Sequence, residues 1–483
     1  MRACQFALLV PFLAGCPDRP TSELDPTQNG TVTKKIPVSA NIDILFVIDN
    51  SASTLDKQTV FSQNFPKFVQ ALDAFPTGRP NLHIGVIDTT VDIATQGYAN
   101  GSTGCPSPDP RDNGVLQNTP RITGCSPPNG QFISDIKNPD GSRTMNYTGP
   151  LEDTLSCIAL IGADGCGFEA QLEAMKRALD GSRLENAGFI RNGAYLGVII
   201  LTDEDDASVK DHKVFSLPDA MVGGHNDYRV QPLYAYQCAT PISSSAGGTY
   251  AGCTPRTDSY LQDPHYYSQF LTSVKDPGQI IVAAIAAPPP GLHTNDNPPQ
   301  TANASNIATG PLLLNGNTQS LALLPSCSAT INGNPAIGRP GVRLANFVHQ
   351  FGDRGRFYTI CQGDYSAALT DIGKTLFNAI SPCLEGPIDP TDADPTNPGT
   401  QLQCTVSDVQ VDDKTGANST VIPRCKMQDA TTPAAASSSC WWVNNNPVAC
   451  PAPDTGFELE LVRAQPPAPG TNVVVECALT PSK

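Results

Sequence analysis

The stretch IDILFVIDNSAS, residues 42–53, decides how this chain is read. Ile42 to Ile48 is almost continuously apolar, as expected of a central strand covered on both faces. It stops abruptly at Asp49, Ser51 and Ser53. Asp and Ser are common in turns and at helix N-termini, so ordinary capping is one reading. Convergence of the three side chains on a ligand is the other.

The same pattern recurs along the chain. Phe61, Phe65, Phe68 and Leu72 are spaced as one face of an amphipathic helix that ends before Pro76. Strands are predicted at Leu82–Ile87, Leu196–Leu201 and Ile280–Ile285, with a shorter one at Arg356–Ile360. Helices are predicted from near Phe168 through Leu179, around Leu344–Phe351, and over Leu369–Ile380. Alternating strands and helices predict an α/β fold with a doubly wound, mainly parallel sheet.

Long Gly-, Pro- and Asn-rich insertions interrupt this unit near 91–165, 207–277 and 289–340, the first with an edge strand near Gln131–Ile136. The α/β unit is expected to cover 39–383. A Pro/Asp/Thr-rich linker follows at 384–403, then a small cysteine-rich β module at 404–483 holding five cysteines and the pair Trp441-Trp442. Those tryptophans are expected to be core packed on a disulfide rather than a binding surface.

Acidic residues outnumber basic ones 46 to 30, for a net charge of −16, so nucleic acid is not an expected partner. No stretch of about 20 apolar residues could span a bilayer. Residues 1–15 read as an export signal, and Leu13-Ala14-Gly15-Cys16 resembles the bacterial lipobox, which implies cleavage before Cys16 and lipidation of that cysteine. Residues 16–38 would then be a flexible tether. Asp18, one place beyond the usual inner-membrane retention position, favours the outer membrane. Of the 16 cysteines, Cys4 leaves with the signal and Cys16 takes the lipid, leaving fourteen for up to seven disulfides. No CxxC pair suggests a metal site. Cys157 with Cys166 and Cys440 with Cys450 stand close enough to act as loop staples.

In open α/β sheets ligands bind outside the carboxyl ends of the strands. Asp49, Ser51 and Ser53 leave one strand there, and Asp203 leaves another after Val198-Ile199-Ile200-Leu201-Thr202. Carboxylates and hydroxyls from two loops suit a hard divalent cation, Mg²⁺ or Mn²⁺, with Ca²⁺ as the further alternative. These residues resemble the DxSxS and Thr-Asp motifs of von Willebrand factor type A domains. The resemblance covers roughly 39–383 and implies a metal-ion-dependent adhesion site. The family's usual threonine has no counterpart here: Gly165-Cys166-Gly167-Phe168 leads to Glu169 in its place. Glu169 is therefore either a fifth ligand or an acid in a helix's first turn. The run Glu204-Asp205-Asp206 is expected to be solvated.

The six histidines form no HExxH, and no G-x-S-x-G, P-loop or GxGxxG occurs. The expectation is a non-enzymatic, lipid-anchored envelope protein that binds a divalent cation and meets an envelope protein, an extracellular protein or a matrix ligand. The alternatives are a metal-dependent envelope hydrolase, or a spacer whose C-terminal module does the binding.

Overall fold

A computed structural model describes residues 31–37, 41–75, 78–91, 109–138, 140–210, 235–243, 246–294, 302–314, 317–412, 416–434, 438–447, 450, 455–465 and 471–480. The expected signal peptide and Cys16 lie outside the described residues. The chain forms two compact units, Ser39–Ser381 and a second that joins Met1–Val38 to Pro382–Lys483.

The chain's first strand, β1 (Thr31–Pro37), belongs to the second unit. In the larger unit follow β2 (Asn41–Ile48), α1 (Leu55–Gln63), α2 (Phe65–Asp73) and β3 (Asn81–Asp88). Next come β4 (Ile133–Lys137), β5 (Arg143–Met145), α3 (Leu151–Ala159), α4 (Gln171–Leu179) and β6 (Tyr195–Leu201). The second insertion carries β7 (Tyr236–Gln237), β8 (Gly248–Pro255) and α5 (Pro264–Val274). After β9 (Ile280–Ala286), the third insertion holds β10 (Ser305–Leu314), β11 (Asn317–Leu323), β12 (Cys327–Ile331) and β13 (Asn334–Gly338). The unit closes with α6 (Val342–His349), β14 (Gly355–Thr359) and α7 (Ser366–Ile380).

Seven strands form the central sheet, in the order β14-β9-β6-β2-β3-β4-β5. Its first five strands run parallel, whereas β4 and β5 join antiparallel at one edge. The side chains of β2 alternate between two cores, as strand geometry requires. Ile42, Ile44, Phe46 and Ile48 enter one, while Leu45 and Val47 enter the other. Asp43 interrupts the apolar run and is fully buried, its charge answered by Arg191 at 2.7 Å.

The expected doubly wound, mainly parallel architecture does not describe this chain. Among the described residues ten strand pairings are antiparallel and four parallel. Of the five sheets among the described residues, four contain no parallel pair. The physical reason lies in the insertions and the C-terminal unit. They form antiparallel pairs of strands close together in sequence, such as β10–β11 and β12–β13, which need no crossover helix. The fold is mixed α/β with extensive antiparallel sheet.

The second unit builds a four-stranded antiparallel sheet in the order β1-β19-β15-β16 and a two-stranded ribbon of β17 and β18. Here β15 is Cys404–Asp412, β16 Gly416–Ile422, β17 Cys440–Asn445, β18 Phe457–Val462 and β19 Thr471–Ala478. Residues 31–37 of the expected tether are thus a strand, paired with β19 from Thr31↔Ala478 to Pro37↔Asn472. The expected linker is also structured. Leu384, Ile388 and Leu402 are buried in this unit's core.

Disulfides join Cys125–Cys157, Cys238–Cys253, Cys327–Cys361, Cys383–Cys450, Cys404–Cys477 and Cys425–Cys440. Cys166 is also disulfide-bonded. The staples expected from sequence proximity, Cys157–Cys166 and Cys440–Cys450, do not form. Trp441 is buried with the Arg424 guanidinium 4.6 Å from its ring centre, and Trp442 is half-buried.

Candidate cation-binding site

The parallel pairing of β2 with β6 brings two chain ends to one edge of the central sheet. Ile48 pairs with Leu201, and the Asp49 N–H donates to the Leu201 carbonyl at 2.9 Å. The loop after Asp49 is fixed by its own groups. Thr54 Oγ1 donates to the carbonyls of Asp49 and Ser51, each at 2.8 Å, and Gln58 Nε2 donates to the Asp49 carbonyl at 2.8 Å.

Asp49, Ser51, Ser53 and Asp203 meet at this edge. Ser51 N–H donates to Asp49 Oδ1 at 2.8 Å, and Thr202 Oγ1 donates to Asp49 Oδ2 at 2.7 Å. The Ser51 and Ser53 hydroxyl oxygens stand 3.3 Å apart, and Ser53 Oγ donates to Asp203 Oδ1 at 3.1 Å. Asp49, Ser51 and Asp203 are buried, whereas Ala52 and Ser53 are exposed, so the cluster reaches solvent on one side. Burial, and then the nearby Asp203 carboxylate, push the Asp49 carboxyl up to about 7.

The donor spacing suits a hard cation. Neighbouring oxygens around an octahedral ion with bonds of about 2.1 Å lie about 3.0 Å apart, and around Ca²⁺ about 3.4 Å apart. The separations of 3.1 and 3.3 Å fall between these two values. Asp49 and Asp203 would supply carboxylate oxygens and Ser51 and Ser53 hydroxyls, leaving the solvent side to water.

The backbone of Glu169 runs beside the loop that follows Asp203. The residue is buried, its carbonyl accepts from Ala207 N–H at 2.8 Å, and the next residue's N–H donates to the Thr89 carbonyl at 3.0 Å. Among the described residues no three His, Cys, Asp or Glu side chains gather as a metal-holding group, so Glu169 does not complete a three-carboxylate cluster. The loop before it is seated on Asn50. Gly165 N–H donates to the Asn50 carbonyl at 2.7 Å, and a Cβ at Gly165 would meet the Asn50 side chain at 2.2 Å. Only glycine fits that approach.

The acidic run after Asp203 is not solvated. Asp205 and Asp206 are buried, and Glu204 pairs with Arg339. Asp205 accepts from the N–H groups of Arg343 and Leu344 in the first turn of α6, the latter at 3.1 Å, and from Tyr236 Oη at 2.8 Å. Asp206 accepts from Leu172 N–H at 3.1 Å in the first turn of α4 and from Arg343 Nη2 at 2.9 Å. Both carboxylates therefore satisfy unpaired N–H groups at helix N-termini, where the helix dipole also favours negative charge.

One residue that the sequence did not single out is central to the cluster. Lys57, in the first turn of α1, is buried and donates to Asp203 Oδ2 at 2.6 Å and to the Ser53 carbonyl at 3.0 Å. Its signal was positional: it lies one helical turn beyond Ser53, so its side chain can return along the helix to that residue.

Fold and site together define a disulfide-bonded mixed α/β protein with a partly open Asp-Ser-Ser-Asp cluster at a sheet edge. No family model matches the chain, and no curated protein matches it in sequence. Solved structures similar to it include the pilus adhesin SpaC from Lactobacillus rhamnosus GG, in its open conformation, at 10% identity and a TM-score of 0.33, covering 94% of this chain and 41% of that one. The human COPII-coat protein Sec24c follows at 8% identity and 0.32, covering 93% and 46%. The pilus adhesin RrgA from Streptococcus pneumoniae stands at 9% and 0.19, covering 93% and 57%. The chain thus spans less than two thirds of each, and likenesses of this depth carry no inference about function. Among the described residues no helix is long and apolar enough to cross a membrane.

Proposed function

We propose that this is a non-enzymatic, exported surface protein that binds a divalent cation, Mg²⁺ or Mn²⁺, at Asp49, Ser51, Ser53 and Asp203, and that meets a protein or surface partner through the loops around that cation. The observation that carries this reading is the spacing of the two serine hydroxyls and the Asp203 carboxylate, beside an exposed Ser53. Disulfides support an oxidising compartment outside the cytosol. Lipidation at Cys16 would hold the protein to the bacterial envelope. The hydrolase alternative would need a free general base beside the ion. Of the candidate bases Glu204, Asp205 and Glu169, the first two are engaged with Arg339 and with the start of α6, which favours the non-enzymatic reading.

Mn²⁺ binding to the lipid-free protein, followed by electron paramagnetic resonance, tests the site. The wild type is expected to bind one ion, with a rise in melting temperature, and Asp49→Ala with Ser51→Ala to abolish both. A wild type that binds no ion, or a double variant that binds as well as the wild type, refutes the reading.

A further inference from the structure

We infer that Lys57 is the resident cation of the Asp49–Asp203 cluster: it keeps the cluster assembled without a divalent ion and sets its affinity for one. This deepens the cation reading above and rests on it. A lysine whose side chain is 2% exposed is rare unless its charge is paired, and here the partner is Asp203, itself 2% exposed. The two oxygens of Asp203 are divided. Oδ2 accepts from the Lys57 ammonium at 2.6 Å, and Oδ1 accepts from the Ser53 hydroxyl at 3.1 Å. Lys57 also donates to the carbonyl of that same Ser53 at 3.0 Å. The ammonium therefore clamps the loop bearing the serines to the loop bearing Asp203 through the Ser53 carbonyl and Asp203 Oδ2, leaving the two hydroxyls and Oδ1 out of its hydrogen bonds. A divalent ion would clamp the same two loops from the hydroxyl side.

Two consequences follow from charge alone. Without an ion, and with both carboxylates ionised, Asp49, Asp203 and Lys57 together carry one net negative charge rather than two, so the lysine lessens the repulsion between the two loops. With an ion bound, the ammonium repels it across a few ångströms of buried space, where screening is weak. Removing the lysine's charge should tighten ion binding and make folding of the site depend on it.

The test compares the wild type with Lys57→Gln, which keeps an N–H donor without the charge, and with Lys57→Met. Mn²⁺ affinity is measured by electron paramagnetic resonance, and melting temperature is measured in chelator and in Mn²⁺. Lys57→Gln is expected to bind Mn²⁺ roughly tenfold or more tightly than the wild type. Lys57→Met is expected to melt lower in chelator and to gain more from Mn²⁺ than the wild type does. A Lys57→Gln protein that folds only with Mn²⁺ also supports the inference, and one that folds under neither condition overturns it. Binding by the wild type that Lys57→Gln leaves unchanged overturns the role of Lys57 while sparing the cation site. Absence of binding in all three proteins removes the cation reading and this inference with it.

Discussion

Arg343→Met should be among the most damaging single substitutions in the larger unit. Arg343 is a fully buried side chain. Its Nη2 reaches Asp206 Oδ2 at 2.9 Å and the Gln262 carbonyl at 2.6 Å, and its Nε reaches the Asp206 carbonyl at 2.8 Å. Methionine fills much of the volume but leaves a buried carboxylate and two carbonyls without those donors. Removing one partner of a buried ion pair costs about 3–5 kcal/mol. The loss should also depend on pH. Burial raises the Asp205 carboxyl to about 6, and Arg343 is the strongest influence holding it down. Because its folded value exceeds its unfolded one, Asp205 contributes stability that is full at low pH and is lost as pH rises through about 6. Without Arg343 that folded value climbs further, so the penalty of the substitution should grow from pH 5 to pH 8. Both tryptophans, Trp441 and Trp442, lie in the other unit, so tryptophan fluorescence does not report on this one. Urea unfolding should be followed by near-ultraviolet circular dichroism of the tyrosines or by pulse proteolysis. A penalty below about 1 kcal/mol at pH 7, or one no larger at pH 8 than at pH 5, would refute the reasoning.

Asp88 and Asp112 give a second pH-dependent element. Burial and the neighbouring Asp112 carboxyl hold Asp88 well above the usual carboxylate range, with Arg121 opposing. Its stabilising contribution is therefore present at low pH and lost as pH rises, so Asp88→Asn should show a smaller fall in melting temperature between pH 6 and pH 9 than the wild type. In the second unit, Cys404 and Cys477 face each other across β15 and β19 and close 73 residues. Replacing both with alanine removes up to about 4 kcal/mol of chain-entropy stabilisation. Here tryptophan fluorescence is the right probe, and an unchanged urea midpoint would contradict the entropic argument.

The parts of the structure legible in the sequence are those where one physical signal acts alone. Tyr195–Leu201 and Ile280–Ala286 are wholly buried strands and read as unbroken apolar runs. The amphipathic face of Phe61, Phe65, Phe68 and Leu72 was also visible, yet it spans two helices with Asn64 between them. Pro66 sits at the start of the second, where it tolerates a first turn but not an interior. The apolar spacing alone could not show the break.

The misread parts are those where a residue's meaning depends on a partner far along the chain. The acidic run at 204–206 looks solvated until Arg343, 137 residues away from Asp206, is brought beside it. Residues 31–37 look like a tether until β19, more than 430 residues later, pairs with them. Cysteine parity held a clue of this kind. Five cysteines from Cys404 onward cannot all pair among themselves, and the sixth is Cys383, which draws the supposed linker into the module. Lys57 combines both lessons. Its return to Ser53 is local and follows from helical spacing, but its burial is intelligible only with Asp203, which arrives from 146 residues away. The motif residues show where a cation could sit, and the lysine, an unremarked helix residue, determines how strongly the cluster needs one.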